Sequence, residues 1–293
     1  MARIVDLLAK GPTFSFEFFP PKTDAEQAVL VRTLRDLEPL EPSFVSVTYR
    51  GGRSSRQRTT ELVAGMLRTT NLTPMAHLTC VVHSRLELAE ILVGLRRAGV
   101  ENVLALGGDP PTEADLDPGA SGAGELTHAV ELVELARAIG GFSVGVAAHP
   151  ELHPSSDGDR VADRDHLAAK LRLADFAITQ FFFRVGDYRA MLDDLAERGV
   201  GKPVIPGIMP ITNLGLVSRM AELSGAAVPP EVVARIEAVA EDPEEVRRTG
   251  VTVATELCRD LLAAGAPGLH FYTLNRSSAT REIYANLGLA PEG

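Results

Sequence analysis

The stretch Phe14-Ser15-Phe16-Glu17-Phe18-Phe19-Pro20-Pro21 sets one carboxyl group inside an aromatic run. Its length and composition read as a buried strand, and the two prolines, which cannot continue a ladder, end it. Alternation puts Phe14, Phe16 and Phe18 on one face and Ser15, Glu17 and Phe19 on the other. An ionised carboxylate in so apolar a setting is costly unless it is paired. Two readings follow. Glu17 is salt-bridged to a neighbouring strand, or it keeps a proton and serves as a general acid near neutral pH.

Other residues able to do chemistry sit at or after strand-like runs. Thr48 closes Phe44-Val45-Ser46-Val47-Thr48-Tyr49, and His77 lies in the run from Met75 to Val82. Gly108 and Asp109 follow Asn102 to Leu106, and His149 and His153 follow Phe142 to Ala147. Gln180 lies within Ala177 to Phe183, and Asn275 and Arg276 follow Gly268 to Leu274. Each has a plain structural explanation on its own: a satisfied core histidine, a turn-forming Asp before prolines, a charge at a helix entry. The two histidines of His149-Pro150-Glu151-Leu152-His153-Pro154 have the spacing of metal ligands on a helix. The prolines argue against a helix there and no third ligand is evident, so no metal is expected.

The elements that must position these groups alternate. Eight strand-like runs are each followed by helical periodicity, including a helix from Asp24 to Glu38 and one opened by Ser84 with Glu87 at the capping-box position. This predicts an α/β fold, a (β/α)₈ barrel as one domain over residues 1–293, with its site at the carboxyl ends of the strands. A doubly wound sheet is the runner-up, but it wants a glycine-rich phosphate loop where this chain has Pro20-Pro21. On one barrel rim the polar residues become a buried acid, a second carboxylate, and amide and guanidinium donors for a polar substrate.

The net charge of −10 disfavours nucleic acid and anionic membrane surfaces as partners. Two distant cysteines, Cys80 and Cys258, read as reduced thiols of a cytoplasmic protein. No stretch reads as a membrane span or a signal peptide. Seven of the eleven phenylalanines fall in two clusters, at 14–19 and 181–183, marking two places where the chain builds apolar walls.

The same residues resemble the methylenetetrahydrofolate reductase family. The likeness starts at Phe14-Ser15-Phe16-Glu17-Phe18-Phe19-Pro20-Pro21-Lys22 and runs through Val45 to Tyr49, His77-Leu78-Thr79-Cys80 and Gly108-Asp109-Pro110-Pro111. It continues in His149 to Pro154, Ile178 to Phe183 and Pro206 to Pro210, and ends in His270-Phe271-Tyr272-Thr273-Leu274-Asn275-Arg276. The resemblance implies a barrel that reduces 5,10-methylenetetrahydrofolate to 5-methyltetrahydrofolate with NADH or NADPH. It implies Glu17 and Asp109 as catalytic groups, Asp109 also near the pterin, and Gln180, Arg276, Thr48 and Asn275 as substrate contacts.

Members of that family carry a flavin, and the departures gather at its expected place. Arg50 stands where a small residue is usual, Gly107 where an arginine is usual, His149 for a tyrosine and Leu214 for a stacking aromatic. Only Lys170 remains of a pair of lysines. Thr48, His77 and His153 match the flavin-contact set, and Gly108 and Asp109 flank the same space. These departures imply a member that binds FAD weakly or not at all, with hydride passing directly from the nicotinamide to the folate iminium. Arg50 or Arg53 would then contact the nucleotide phosphates. The alternatives are the same reaction through bound FAD, and a folate-binding relative without turnover. NADH and NADPH are not distinguished, and the oligomeric state is left open.

Overall fold

The computed structural model describes residues 2–49, 53–108 and 124–290. Eight parallel strands close on themselves in sequence order, each paired with the next and the eighth with the first. They are β1 (Thr13–Phe18), β2 (Phe44–Val47), β3 (Pro74–Thr79), β4 (Asn102–Leu106), β5 (Ser143–Ala148), β6 (Phe176–Phe181), β7 (Val204–Ile208) and β8 (Gly268–Tyr272). The expected (β/α)₈ barrel is the observed one.

The helices are α1 (Ile4–Leu8), α2 (Asp24–Leu37), α3 (Arg53–Thr69), α4 (Arg85–Arg97), α5 (Ala129–Ile139) and α6 (Arg160–Leu173). They continue with α7 (Val185–Glu197), α8 (Leu214–Ser224), α9 (Pro230–Glu237), α10 (Pro243–Ala263) and α11 (Ser278–Asn286). Side chains close several of their entries. Thr23 accepts from Glu26 N on α2, and Ser84 with Glu87 forms the expected capping box on α4. Asp159, Asn213 and Asp242 cap α6, α8 and α10. These caps lie on the rim that carries the site, so they also fix where each loop leaves the barrel.

The sequence reading had no counterpart for α1. It sits under the barrel, where Ile4 packs with Phe44, Met75, Leu104, Phe176, Ile178 and Ile205 in an apolar floor. Two of its backbone N–H groups donate into the strands, Ile4 N to Asn102 Oδ1 at 2.8 Å and Val5 N to Ser143 Oγ at 3.1 Å. Five residues give no helical periodicity to read, and only the closed barrel supplies the partners.

Strand ends also differ from the expected ones. β3 stops at Thr79 rather than Val82, because Val82 takes a left-handed backbone with φ of 58°. β8 stops at Tyr272, before Leu274 and Asn275, both left-handed at 51° and 57°. Alternation on β1 is as read. Phe16 and Phe18 face outward into the helix layer with Leu30 and Leu37, and Ser15 and Glu17 face the polar residues inside.

Candidate functional site

Above the apolar floor the barrel interior turns polar. Strand register places Glu17 beside Ser46 on one side and Tyr272 on the other, and Ser15 beside His270. The side chains meet accordingly. Glu17 Oε2 lies 3.5 Å from Ser46 Oγ, 3.4 Å from His270 Nε2 and 3.5 Å from His77 Nε2. His270 is fully buried, stacks on Phe44 and holds Ser15 Oγ at 2.8 Å through Nδ1. Thr273 Oγ1 donates to the Glu17 carbonyl at 2.6 Å, fixing the strand end that presents the acid.

Burial lowers His77 to about 4, against the opposing pull of Glu17. His77 is therefore neutral at physiological pH. Its Nε2 is near enough to Glu17 for an ion pair but lacks hydrogen-bond geometry, so it is an unpartnered buried nitrogen. Thr48 Oγ1, just past the end of β2, and Thr79 Oγ1, on β3, are likewise buried and unpartnered among the described residues. Leaving a buried polar group unmade costs about 1–3 kcal/mol. His77 Nε2 lies 3.5 Å from the Glu17 carboxyl, and these three atoms offer hydrogen bonds that a polar ring can satisfy.

The β6–β8 side carries the second set. The β6–β7 register shifts between Ile178 and Phe181, and Gln180 Oε1 takes the Phe181 N–H at 3.0 Å. The Gln180 amide nitrogen has no partner among the described residues. Tyr272 OH donates to Thr179 O at 2.7 Å and crosses Gly207, where a Cβ would come within 2.6 Å of the Tyr272 ring. Burial, with Glu17 nearby, holds the Tyr272 hydroxyl well above its ordinary range, so it stays a neutral donor. Arg276 is exposed after β8. Asn275 is occupied: its amide accepts from Phe19 N at 2.8 Å and donates to Phe19 O at 2.9 Å, tying the end of the β8 loop to β1.

The loop after β5 carries a third group. His149 and His153 meet edge to face with ring centres 4.6 Å apart. Arg164, fully buried, donates to His149 O at 2.8 Å and Pro150 O at 2.6 Å, with Asp163 and Asp194 balancing its charge. Burial lowers His149 to about 3, with Lys170, His153 and Arg164 adding to the shift. Lys170 is lowered by burial to about 8 and has no ion pair among the described residues. Leu214 opens α8 and packs with Val217 and Ile236.

Sequence reasoning put these residues on one barrel rim; the structure brings Glu17 and His77 to 3.5 Å, sets Thr48 just past β2 and Gln180 on β6, and joins His149 to His153 after β5. Arg50 and Asp109 lie outside the described residues, as does the Arg53 side chain. Gly108 is described, with φ of 89° and no room for a Cβ against Val81 and Thr79. The reading missed Ser15, Ser46, Tyr272 and His270 as site residues. Alternation gave a signal, since His270 and Tyr272 share one face of β8, but the cross-strand pairing of His270 to Ser15 needs the closed barrel.

The sequence pattern of methylenetetrahydrofolate reductases matches residues 1–288. The chain belongs to this family. It is 34% identical to 5,10-methylenetetrahydrofolate reductase of Escherichia coli over 280 residues, covering 94% of this chain and 91% of that protein. It is 34% identical to methylenetetrahydrofolate reductase (NADH) 1 of Arabidopsis thaliana over 302 residues, 99% of this chain and 51% of that one. Among solved structures, a Clostridium thermocellum protein described as binding two copies of 5-methyl-5,6,7,8-tetrahydrofolic acid aligns over 97% of this chain and 96% of its own. Its TM-score is 0.61 at 13% identity, a likeness of fold.

The methylenetetrahydrofolate reductase resemblance implies a flavin, and the residues meet that implication in part. The unpartnered Thr48, His77 and Thr79 atoms fit the polar edge of a heteroaromatic ring. Gly107 offers no cation at the end of β4, and His149 gives a smaller stacking surface with its edge already against His153.

Proposed function

We propose that this chain reduces 5,10-methylenetetrahydrofolate to 5-methyltetrahydrofolate and takes the hydride directly from NADH or NADPH. The observation that carries the reading is the Glu17 carboxyl at the base of the polar mouth. Its Oε2 is surrounded by Ser46, His270 and His77. The names of the bacterial and plant relatives support the reaction, and the plant name supports NADH.

Glu17 gives a proton to N10 of the bridged folate ring. The bond from N10 to the methylene carbon breaks, its electron pair stays on N10, and the N5 lone pair forms the iminium. Hydride from the dihydronicotinamide adds to that carbon, leaving N5-methyl and oxidised nucleotide. Asp109 contacts the pterin, by the resemblance, and Gln180 offers its free amide nitrogen to the folate. Thr48, His77 and Thr79 line the place for the nicotinamide, and Lys170 and Arg276, cations with no ion pair among the described residues, serve the anionic ends of the two ligands.

The test uses purified chain stripped of nucleotides. Its visible spectrum is recorded, and NADH oxidation is followed with methylenetetrahydrofolate, with and without added FAD. A colourless chain that turns over without FAD is the expected result. Stoichiometric FAD in active protein overturns direct transfer and leaves the reaction standing.

A further inference from the structure

The register slip between β6 and β7 is a bulge, and side chains replace the ladder bonds it breaks. β6 advances three residues, from Ile178 to Phe181, while β7 advances two, from Ile205 to Gly207. The extra residue leaves backbone groups without their regular partners, and buried ones need substitutes. Three are present. The Thr179 carbonyl accepts from Tyr272 OH at 2.7 Å, the Gly207 N–H donates to Thr179 Oγ1 at 2.8 Å, and the Phe181 N–H donates to Gln180 Oε1 at 3.0 Å. The packing is close enough to require glycine on β7: a Cβ on Gly207 would lie 2.3 Å from Thr179 O and 2.6 Å from the Tyr272 ring.

The third bond decides what Gln180 can do. A backbone N–H only donates, so the Gln180 amide turns its oxygen to Phe181 and keeps its nitrogen for a ligand. Gln180 is thereby a donor and not an acceptor. Tyr272 reaches the bulge across Gly207. It pairs with Glu17 in the β1–β8 register, and its ring meets the Phe181 ring edge to face at 6.3 Å. One side chain thus ties the strand of the acid to the strand of the amide. Thr179 is fully buried, and a buried carbonyl that loses its donor is costly. A shift of the bulge relieves that cost and carries Gln180 with it.

We propose that Tyr272 is a positioning residue for Gln180: by bonding the Thr179 carbonyl it holds the β6 bulge in the register that presents the Gln180 amide nitrogen to the folate. The identity of the ligand rests on the reaction proposed above. Tyr272 acts through the strand, and no bond or proton changes at its hydroxyl during turnover.

The experiment uses the full chain with Tyr272→Phe, Gln180→Ala, the two combined, and Gln180→Glu. Tyr272→Phe removes one oxygen and keeps the ring over Gly207. Its KM for methylenetetrahydrofolate should rise about 5- to 20-fold with kcat within about threefold of the parent, and in the Gln180→Ala background the same change should add less than about twofold. Gln180→Glu, which sets an oxygen where the nitrogen stood, should bind folate no better than Gln180→Ala. Calorimetry with 5-methyltetrahydrofolate reads the same cycle without turnover. In the ligand-free chain, hydrogen exchange at the Phe181 N–H should quicken by about tenfold or more in Tyr272→Phe, with the amides of β2 and β3 unchanged.

Losses that multiply in the double variant would overturn the proposal, since Tyr272 would then act independently of Gln180. So would an unchanged folate KM in Tyr272→Phe, a loss confined to kcat, or unaltered exchange at Phe181. A parent that neither binds nor reduces these folates would refute the proposed reaction, and the Phe181 exchange would then decide by itself whether Tyr272 holds the bulge.

Discussion

The floor and the mouth of the barrel are built from the same eight strands and handle most of their polar groups in opposite ways, with Thr13 Oγ1 at the foot of β1 an unpartnered exception among the described residues. At the floor, α1 places Ile4 among Phe44, Met75, Leu104, Phe176 and Ile205, and the polar Asn102 and Ser143 spend their oxygens on backbone N–H groups of α1 at 2.8 and 3.1 Å. At the mouth, Thr48 Oγ1, His77 Nε2 and Thr79 Oγ1 have no partner among the described residues, whose contacts with the Glu17 carboxyl are 3.4–3.5 Å long. The floor therefore carries stability, and the mouth keeps its hydrogen-bonding capacity for a ligand. Unpaired buried groups are tolerated where a ligand completes them.

The sharpest way to test this contrast is to strike each layer separately. Glu17→Gln keeps the shape and removes the proton, so turnover should drop by about 10²–10⁴-fold while folate binding, measured by calorimetry, survives. A chain whose turnover is unchanged would remove Glu17 from the chemistry. Phe176→Ala strikes the floor. Phe176 is fully buried and packs against Gly145, where a Cβ would lie 2.6 Å from its ring. Urea unfolding should show a loss of about 3–5 kcal/mol, with kcat per folded molecule little changed. A large kcat loss at full folding would mean that the two layers are not separable.

The third prediction concerns acid. His77 is lowered to about 4 in the fold from 6.5. Between those values the unfolded chain binds more protons than the folded one, so stability rises with pH across this window and is lost as pH falls through it. The contribution of this nearly buried group is about 3 kcal/mol over the window. His77→Gln should reduce the pH dependence of the urea midpoint between pH 6.5 and 4, leaving the share of His149, and an unaltered slope would assign the acid sensitivity elsewhere. The smallest effect is at Thr48→Val, which removes an unpartnered hydroxyl at nearly constant volume. The ligand-free chain should be as stable as the parent or more stable, by up to about 1 kcal/mol, while the KM for NADH rises. A loss of stability would show that the hydroxyl has a structural partner.

Much of this site was legible before the fold. Glu17 stood out because a carboxylate among four phenylalanines needs a reason, and alternation correctly put it opposite Phe16 and Phe18. His77 and Thr48 were legible as polar residues in apolar strands. Asn275 and Gln180 were legible as polar groups on the rim, but what their side chains engage was not. Asn275 bridges to the backbone of Phe19, 256 positions away in the chain, and Gln180 bonds its neighbour's N–H where the β6–β7 register slips. Neither bond follows from local pattern, because each depends on which strands adjoin.

The sequence by itself determined the alternation of strands and helices, the end of β1 at Pro20-Pro21, the capping of α4, the family, and Glu17 as the residue to watch. These are local facts, set by side-chain period, proline chemistry and ordered motifs. Only the tertiary structure decided that α1 closes the floor, that His270 joins Ser15 to Glu17, and that Arg164 is buried under the His149 loop. Those arrangements arise from closure, which brings β8 against β1 across about 250 residues of chain and fixes their register. A hydrogen bond between strands so far apart in sequence has no local signature, so its partners appear only when the barrel is complete.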